Sequence, residues 1–323
     1  MSLNPHDLEV PVPDFRSSAR ARRQSWFGLK RHIKRALSLP GLHPIMRTVA
    51  LRVPGVRVGR LPAPWRVREV RGQVDGGEYV LVGPDRCEIA KEMYWGQGRR
   101  PEPADAFALD VMVALGKHAR TFFDIGAYTG VFTMALTAAN PALRAHAFEI
   151  VPAVAQALAR NVARNDVAER TQVHTEGVGD PRMGMLVPAG DHGSALPSFY
   201  SSDMAFDDGV RVDFVALDDF TDQVAGPVLL KIDVEGGEET LLRHGQRFLA
   251  AHAPDILCEV LTDADGRELE ALLTPHGLGC YAVGEEALHP REHLRPSAEH
   301  RDWLFSARSP AELRARGVSV ADA

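Results

Sequence analysis

The chain has 323 residues, of which 45% are hydrophobic and 25% charged, so it can form one large domain or one domain with a substantial extension. No stretch is typical of a membrane span, and three cysteines without CxxC spacing exclude a disulfide framework, which favours a reducing, cytoplasmic compartment. The net charge of −6 is uneven, because residues 1–70 have 14 Lys or Arg against 4 Asp or Glu and the rest of the chain has 23 against 39.

The basic N-terminal region contains one predicted helix, at residues 17–39. Its apolar residues recur at spacings of three and four, at Trp26, Leu29, Ile33 and Leu37. Such a helix either contacts anionic lipid or nucleic acid, or packs its apolar face on the rest of the protein. We divide the chain into a basic, partly helical extension at residues 1–75 and a globular domain at residues 76–323.

The rest of the chain alternates between predicted strands and helices. A strand at residues 78–82 and a helix at residues 103–118 come first, and a buried strand ending in Asp124 leads into a helix at residues 131–137. Further strands are predicted at residues 144–150, 172–178, 210–217, 228–233, 255–261, 280–283 and 303–306. Further helices are predicted at residues 152–165, 238–251 and 267–273. This alternation predicts a doubly wound α/β sheet, whose ligands bind at the carboxyl ends of its strands.

A polar insertion rich in glycine and aspartate interrupts this alternation at residues 180–210. It is either a lid that binds a substrate or a plain surface loop. Among the histidines, which show no metal-ligand spacing, His192 in this insertion is the candidate for a substrate contact.

The carboxyl ends of the predicted strands bring several acidic residues to one edge of the sheet. These strand-end residues are Asp124, Gly126, Glu149, Glu176, Gly177, Val178, Asp233, Glu235 and Glu259. Carboxylates that share a partly buried edge raise one another's pKa, so we expect a ligand to use them.

The glycine spacing in the turn after the first of these strands indicates which class of nucleotide ligand the site suits. Its glycines, Gly126 and Gly130, are four apart, which lacks both the G-x-G-x-x-G pattern of dinucleotide folds and the Gly-Lys-Ser/Thr of a P-loop. Glycine also lets a ligand approach where a Cβ would collide. Glu149 ends the next strand and suits a ribose diol. The loop therefore suits a ligand with a small anionic group and no phosphate, and the acidic edge suits a cationic one. A ligand that combines adenosine, a carboxylate and a positive centre is S-adenosylmethionine.

At these residues the chain resembles the FkbM family of S-adenosylmethionine-dependent methyltransferases, which has the class I methyltransferase fold. The resemblance extends over about residues 79–306, and its most specific stretch is Leu-Lys-Ile-Asp-Val-Glu-Gly at residues 230–236. The family usually has Asn where this chain has Tyr128, and Pro directly after the second-strand Glu, where this chain has Ile150. The resemblance implies a Rossmann-like, mostly parallel sheet of seven strands.

The resemblance also implies O-methylation of a hydroxyl on a sugar, glycolipid or polyketide-like small molecule. The positions expected to contact the cofactor are Asp124, Gly126, Ala127, Tyr128, Gly130, Glu149, Gly177, Val178 and Asp233. A base must remove the hydroxyl proton, and the candidates are Asp233, Glu235 and Glu259. These oxygen ligands would suit Mg²⁺, although nothing in their spacing demands a metal. We expect Lys231 to be structural, because we place it on the opposite face of its strand from the neighbours of Asp233.

Three other interpretations compete with this one. The basic N-terminal region favours a methyltransferase that modifies RNA or another nucleic acid. An NAD(P)-dependent oxidoreductase would use a similar fold, but the third glycine of its motif is missing. Residues 17–39 would also suit contact with the surface of a membrane.

Overall fold

The structure is a computed structural model that describes residues 61–64, 66–188, 209–224 and 226–322. The predicted helix at residues 17–39 lies outside the described residues, as do His192 and most of the polar insertion. Among the helices that the structure describes, none is both long and apolar enough to cross a membrane.

Thirteen strands and eight α-helices make up the described part of the chain. The strands are β1 Glu69–Val74, β2 Gly77–Val82, β3 Thr121–Ile125, β4 Arg144–Phe148, β5 Thr171–His174, β6 Gly177–Val178, β7 Gly184–Pro188, β8 Gly209–Val215, β9 Val228–Ile232, β10 Asp255–Glu259, β11 Gly279–Val283, β12 Leu288–Arg291 and β13 Asp302–Ser306. The helices are α1 Glu88–Trp95, α2 Pro103–Gly116, α3 Val131–Ala139, α4 Pro152–Arg164, α5 Glu238–Arg243, α6 Gln246–His252, α7 Gly266–Leu273 and α8 Pro310–Ala315.

The central sheet has eight strands in the order β12-β11-β13-β10-β9-β3-β4-β5. Strands β5, β4, β3, β9 and β10 are parallel to one another. Strand β13 is antiparallel to both β10 and β11, and β12 is antiparallel to β11. The predicted α/β fold is confirmed, but the sheet is mixed and has eight strands rather than seven. The additional strand, β12, is short and contains Pro290, which is tolerated because it lies at the edge of the sheet.

A second, three-stranded sheet lies apart from the central one, in the order β6-β8-β7. The strand predicted at residues 172–178 is therefore two strands, since β5 ends at His174 and β6 pairs with β8 instead. The start of the polar insertion forms β7, which pairs with β8 as an antiparallel partner. Gly177 permits this arrangement because a Cβ there would lie 2.6 Å from the ring of Phe214.

The helix predicted at residues 238–251 is interrupted, and forms α5 and α6. The backbone N–H of Phe248, in the first turn of α6, donates to the Asp218 carboxylate at 2.8 Å. This bond satisfies one of the free N–H groups that every helix start leaves, so a residue distant in sequence stabilises the second helix start. The break itself lies at Gly245, where a Cβ would lie 2.8 Å from the side chain of Leu217.

Two hydrophobic cores lie on the two faces of the central sheet. Successive strand residues alternate between them, so that Phe122 and Leu229 belong to one core and Phe123 and Leu230 to the other. Helices α2, α3 and α4 contribute to the first core, and α5, α6 and α7 to the second. Helices on both faces explain why the inner strands are apolar without interruption.

The β1–β2 hairpin packs with α3 and α4 against the first core. The boundary predicted after residue 75 falls in the turn between these two strands. The division into an extension and a domain stays a prediction, because residues 1–60 lie outside the described part of the chain.

Candidate active site

A cavity of about 1030 Å³ opens at the carboxyl ends of β3, β4 and β9. Strand β3 is followed by β4 and β5 on one side, and β9 and β10 lie on its other side. The cavity therefore lies where the strand order reverses, the usual ligand site of such sheets. Seven of the nine predicted cofactor contacts line it: Gly126, Ala127, Tyr128, Glu149, Gly177, Val178 and Asp233.

The cofactor loop, residues 126–130, is held by the protein's own backbone. The N–H groups of Gly126 and Ala127 donate to the carbonyl of Phe148 at 3.1 and 2.8 Å. Gly126 has a φ of 77°, and a Cβ on it would lie 1.7 Å from the carbonyl oxygen of Asp233. The positive φ and the close approach of the turn after β9 both require glycine here, and the approach of a ligand to Gly126 stays a prediction.

Asp124 and Gly130 support the cavity without lining it. One carboxylate oxygen of the fully buried Asp124 accepts from the backbone N–H of Thr133 at 3.1 Å and from its hydroxyl at 2.6 Å. The other oxygen has no hydrogen-bond partner, and burial raises the pKa of this carboxyl. Gly130 is the N-cap residue directly before α3, with a φ of 84°. Neither residue is among those that line the cavity, so direct contact of Asp124 or Gly130 with the cofactor stays a prediction.

Glu149 is a buried carboxyl at the ribose end of the predicted cofactor site. It lies just after β4, and the backbone N–H of Val151 donates to it at 2.8 Å. Burial raises its pKa to about 7, although backbone N–H groups and the Lys231 ammonium oppose that rise. The side chain therefore titrates near neutral pH, and its ionised form can accept hydrogen bonds from a diol.

Tyr128 has a left-handed backbone conformation, with a φ of 52°. This conformation is uncommon for residues other than glycine, and Asn adopts it several times more readily than most. The preference explains physically why Asn is usual at this position in the family that the chain resembles. The Tyr128 ring is partly buried and packs against the first core.

The three predicted catalytic carboxylates meet on the other side of the cavity. Oxygen atoms of Asp233, Glu235 and Glu259, which we call the acid cluster, all lie within 4.8 Å of one another. Asp233 accepts from Lys231 at 2.8 Å, and Glu259 forms an ion pair with Arg301. Such oxygens suit a divalent cation, but two of the three already have a cationic partner.

The turn that places Glu235 depends on the glutamate that follows it. One carboxylate oxygen of Glu238 accepts from the backbone N–H groups of Gly236 at 3.1 Å and Val234 at 3.4 Å. Glu235 has a φ of 53° and Gly236 a φ of 100°, so the chain turns sharply here. The Val-Glu-Gly-Gly-Glu stretch is therefore a turn that its own buried carboxylate stabilises.

Lys231 lines the cavity, although our sequence analysis expected it to have a structural role. Residues two apart in a strand share a face, and the Lys231 ammonium lies beside the Asp233 carboxylate and the Gly126 carbonyl. The alternation of side chains along β9, applied to Lys231 and Asp233 themselves, would have found it.

Asp302 is a second cavity residue that our sequence analysis missed. It begins β13, and because β13 is antiparallel, its first residue lies opposite Glu259 at the end of β10. Burial raises its pKa to about 6, with the charges of Asp105 and Asp233 adding to that effect. No hydrogen bond to its carboxylate occurs among the described residues. Our prediction collected only the last residues of the strands, and Asp302 is the first residue of an antiparallel strand that begins at this edge.

The fold and the cavity define a Rossmann-like α/β protein with a ligand cavity at the point of strand reversal. Residues 124–303 match the family model described as Methyltransferase FkbM domain, and the chain belongs to this family. It thus carries a methyltransferase domain. No match was found among curated proteins.

Solved structures of methyltransferases are similar to this chain at low identity. One is the methyltransferase FkbM from Methylobacillus flagellatus KT, with 21% identity over 58% of this chain and a TM-score of 0.38. The match spans 44% of that protein, less than half its length. Another is an S-adenosylmethionine-dependent O-methyltransferase from Thermotoga maritima, with 12% identity over 72% of this chain and 74% of that one, and a TM-score of 0.37.

Proposed function

We propose that this protein transfers a methyl group from S-adenosylmethionine to a hydroxyl of a small molecule. The acceptor classes that its family suggests are a sugar, a glycolipid or a polyketide-like compound. Ligand cavities usually measure about 300–1000 Å³. A cavity of about 1030 Å³ has space for the cofactor and for part of an acceptor.

The observation that carries the proposal is the position of Glu149 beside the cofactor loop. A buried carboxyl without a cationic hydrogen-bond partner is unfavourable unless a ligand uses it. In the proposed complex Glu149 binds the ribose hydroxyls, Gly126 to Tyr128 line the amino-acid part, and Gly177 and Val178 border the adenine. The bound cofactor would supply the electrophilic sulfonium methyl.

Calorimetry with S-adenosylhomocysteine at pH 8 tests this proposal. We expect wild-type protein to bind, and Glu149→Gln to bind at least about tenfold more weakly because it loses a charge-assisted hydrogen bond. Glu169→Gln, a matched change at an exposed glutamate, should leave the affinity unchanged. Folded wild-type protein that fails to bind at millimolar ligand would refute the proposal.

We propose that the base is a carboxylate without a cationic partner. Asp233 and Glu259 form ion pairs with Lys231 and Arg301, whereas Glu235 and Asp302 line the same cavity and have no cationic hydrogen-bond partner among the described residues. Desolvation and the neighbouring Asp233 raise the pKa of Glu235, and that of Asp302 is about 6. A base works best when its pKa lies near the working pH, and the upward shift of both pKa values favours these two carboxyls.

We also propose that the acid cluster can hold Mg²⁺, although nothing in its spacing demands a metal. Dialysis against EDTA followed by addition of Mg²⁺ tests it. If EDTA abolishes methyl transfer and Mg²⁺ restores it, the acid cluster binds a metal. If EDTA leaves methyl transfer unchanged, we expect the cluster to bind the acceptor instead.

The acceptor is best sought by mass spectrometry of products from a panel of glycosides, glycolipids and polyketides. A product that gains one methyl group, and only when S-adenosylmethionine is present, would identify the acceptor class. Transfer to RNA but to none of these compounds would favour the nucleic-acid alternative instead. Membership of a methyltransferase family replaces the oxidoreductase interpretation.

Contact of residues 17–39 with a membrane surface is also a proposal. It rests on basic and apolar residues outside the described part of the chain. Flotation with anionic liposomes that is unchanged after deletion of residues 1–40 would reject it.

A further inference from the structure

Lys231 lies where the two halves of the cavity meet. It belongs to β9, and its register partners are Asp124 on β3 and Leu257 on β10. Its side chain is 9% exposed. The ammonium donates to the carbonyl of Gly126 at 3.1 Å and to the carboxylate of Asp233 at 2.8 Å. One buried cation thus contacts both the cofactor loop and the acid cluster.

The backbones of the two halves also touch at this point. The N–H of Asp233 donates to the carbonyl of Ile125 at 3.0 Å, and Gly126 lies against the carbonyl of Asp233. These contacts hold the main chains together, but they leave the Asp233 side chain free to rotate. The Lys231 ammonium fixes that rotation relative to Gly126, because it bonds to both.

Electrostatics keep Lys231 charged in this buried position. Burial lowers the pKa of its ammonium, but the charges of Asp233 and Asp124, with a contribution from Asp302, raise it above the ordinary value. The ammonium also lies 5.6 Å from the centre of the Phe132 ring, which favours a cation. The two other cations lining the cavity have different partners, since Arg100 bonds Glu92 and Asp105, and Arg301 pairs with Glu259.

We infer that Lys231 is a positioning residue for methyl transfer, which holds Asp233 in a fixed orientation against the cofactor loop. The inference rests on the proposed function, since it assigns Asp233 to contact with the cofactor. A lysine with a purely structural role would stabilise the fold. The effect of its substitution on ligand affinity would then be the same whether or not Asp233 is also substituted.

A double-mutant cycle on the affinity for S-adenosylhomocysteine tests this inference. We expect Lys231→Met to weaken binding roughly tenfold and to have little further effect when Asp233→Asn is already present. The double variant removes both partners of the buried pair, so we expect it to fold even if Lys231→Met alone is unstable. Lys117→Met is the matched control, because Lys117 pairs with Asp75 on the surface.

Lys231→Arg separates charge from side-chain shape. It keeps the cation, so we expect an affinity within about threefold of wild type, whereas Lys231→Met should lose roughly tenfold. The inference would be overturned if the losses of binding free energy in the two single variants simply added in the double variant. It would also be overturned if Lys231→Arg lost as much affinity as Lys231→Met while both variants melted at the wild-type temperature. Wild-type protein that does not bind at all would instead reject the proposed function, so the two failures are distinguishable.

Discussion

The two sides of the cavity are built in different ways. On one side, the cofactor loop and Glu149 are held by backbone hydrogen bonds to neighbouring strands, and the pKa of Glu149 rises to about 7. On the other side, the acid cluster combines two carboxylates of the turn after β9 with one at the end of β10, and Lys231 and Arg301 neutralise two of the three. The first side depends on backbone shape, and the second depends on charge balance.

This difference indicates how each side should respond to change. A backbone turn without spare room is sensitive to a single methyl group, and a lone buried carboxyl is sensitive to pH. The fold should tolerate substitutions in the acid cluster better, because its charges are largely compensated. Methyl transfer should nevertheless be lost when the carboxylate that acts as the base is neutralised. The predictions that follow test this division, beginning with the largest expected effect.

Neutralising the base should abolish chemistry on the acidic side while the other side keeps its ligand. We expect either Glu235→Gln or Asp302→Asn to lower the rate of methyl transfer roughly 100- to 10,000-fold. The affinity of the same variant for S-adenosylhomocysteine should stay within about threefold of wild type. Weaker cofactor binding therefore could not account for the loss of rate. Rates are measured with an acceptor found in the panel. Equal, small losses in both variants would place the base elsewhere.

A methyl group at Gly126 should disrupt the cofactor side. A Cβ there would lie 1.7 Å from the Asp233 carbonyl, so we expect Gly126→Ala to lose about 4 kcal/mol of unfolding free energy and its ligand affinity. Gly277→Ala is the matched control, because Gly277 has a similar φ of 72° but no atom within 4 Å of its Cβ. It should lose only about 1 kcal/mol and bind normally. Equal losses in the two variants would show that the contact with Asp233 is unimportant. Chemical denaturation and calorimetry supply both measurements.

Glu149 should give the free protein a stability that falls as pH rises. Its folded pKa of about 7 lies above the ordinary 4.5, so the folded state retains a proton that the unfolded chain releases between these values. The resulting destabilisation is absent at pH 4 and complete at pH 8, where Glu149→Gln should add up to about 3 kcal/mol of stability. Denaturation at both pH values checks this. A Glu149→Gln variant that is less stable at pH 8 would contradict the buried, unpaired state of this carboxyl.

The smallest effect is expected at Tyr128, where the backbone is left-handed. Tyr128→Asn and Tyr128→Ala both remove the ring, so their difference isolates the backbone. We expect the Asn variant to be more stable than the Ala variant by about 1 kcal/mol, since Asn tolerates a positive φ better. Thermal melting at one pH measures this, and an Ala variant as stable as the Asn variant would exclude backbone strain there.

Sequence reasoning succeeded where neighbouring residues determine the outcome. The strand that ends in Asp124, its turn and the following helix form one contiguous unit, and the structure has it as β3, the cofactor loop and α3. Glu149, Asp233, Glu235 and Glu259 were also placed in one cavity correctly, because each lies at or just after the carboxyl end of one of the parallel strands. It failed at the break between α5 and α6, where the backbone N–H of Phe248 donates a hydrogen bond to the distant Asp218 carboxylate.

By itself, the sequence determined the α/β alternation, the cofactor loop and the acidic edge, because side-chain periodicity and turn chemistry act over a few residues. Only the tertiary structure decided that β13 runs antiparallel and brings Asp302 to the cavity, and that Gly126 is required by the backbone of Asp233. It also decided that Lys231, which shares a strand face with Asp233, contacts the carbonyl of Gly126 on the other side. These features depend on strand direction and on contacts between residues far apart in the chain, which no local pattern specifies.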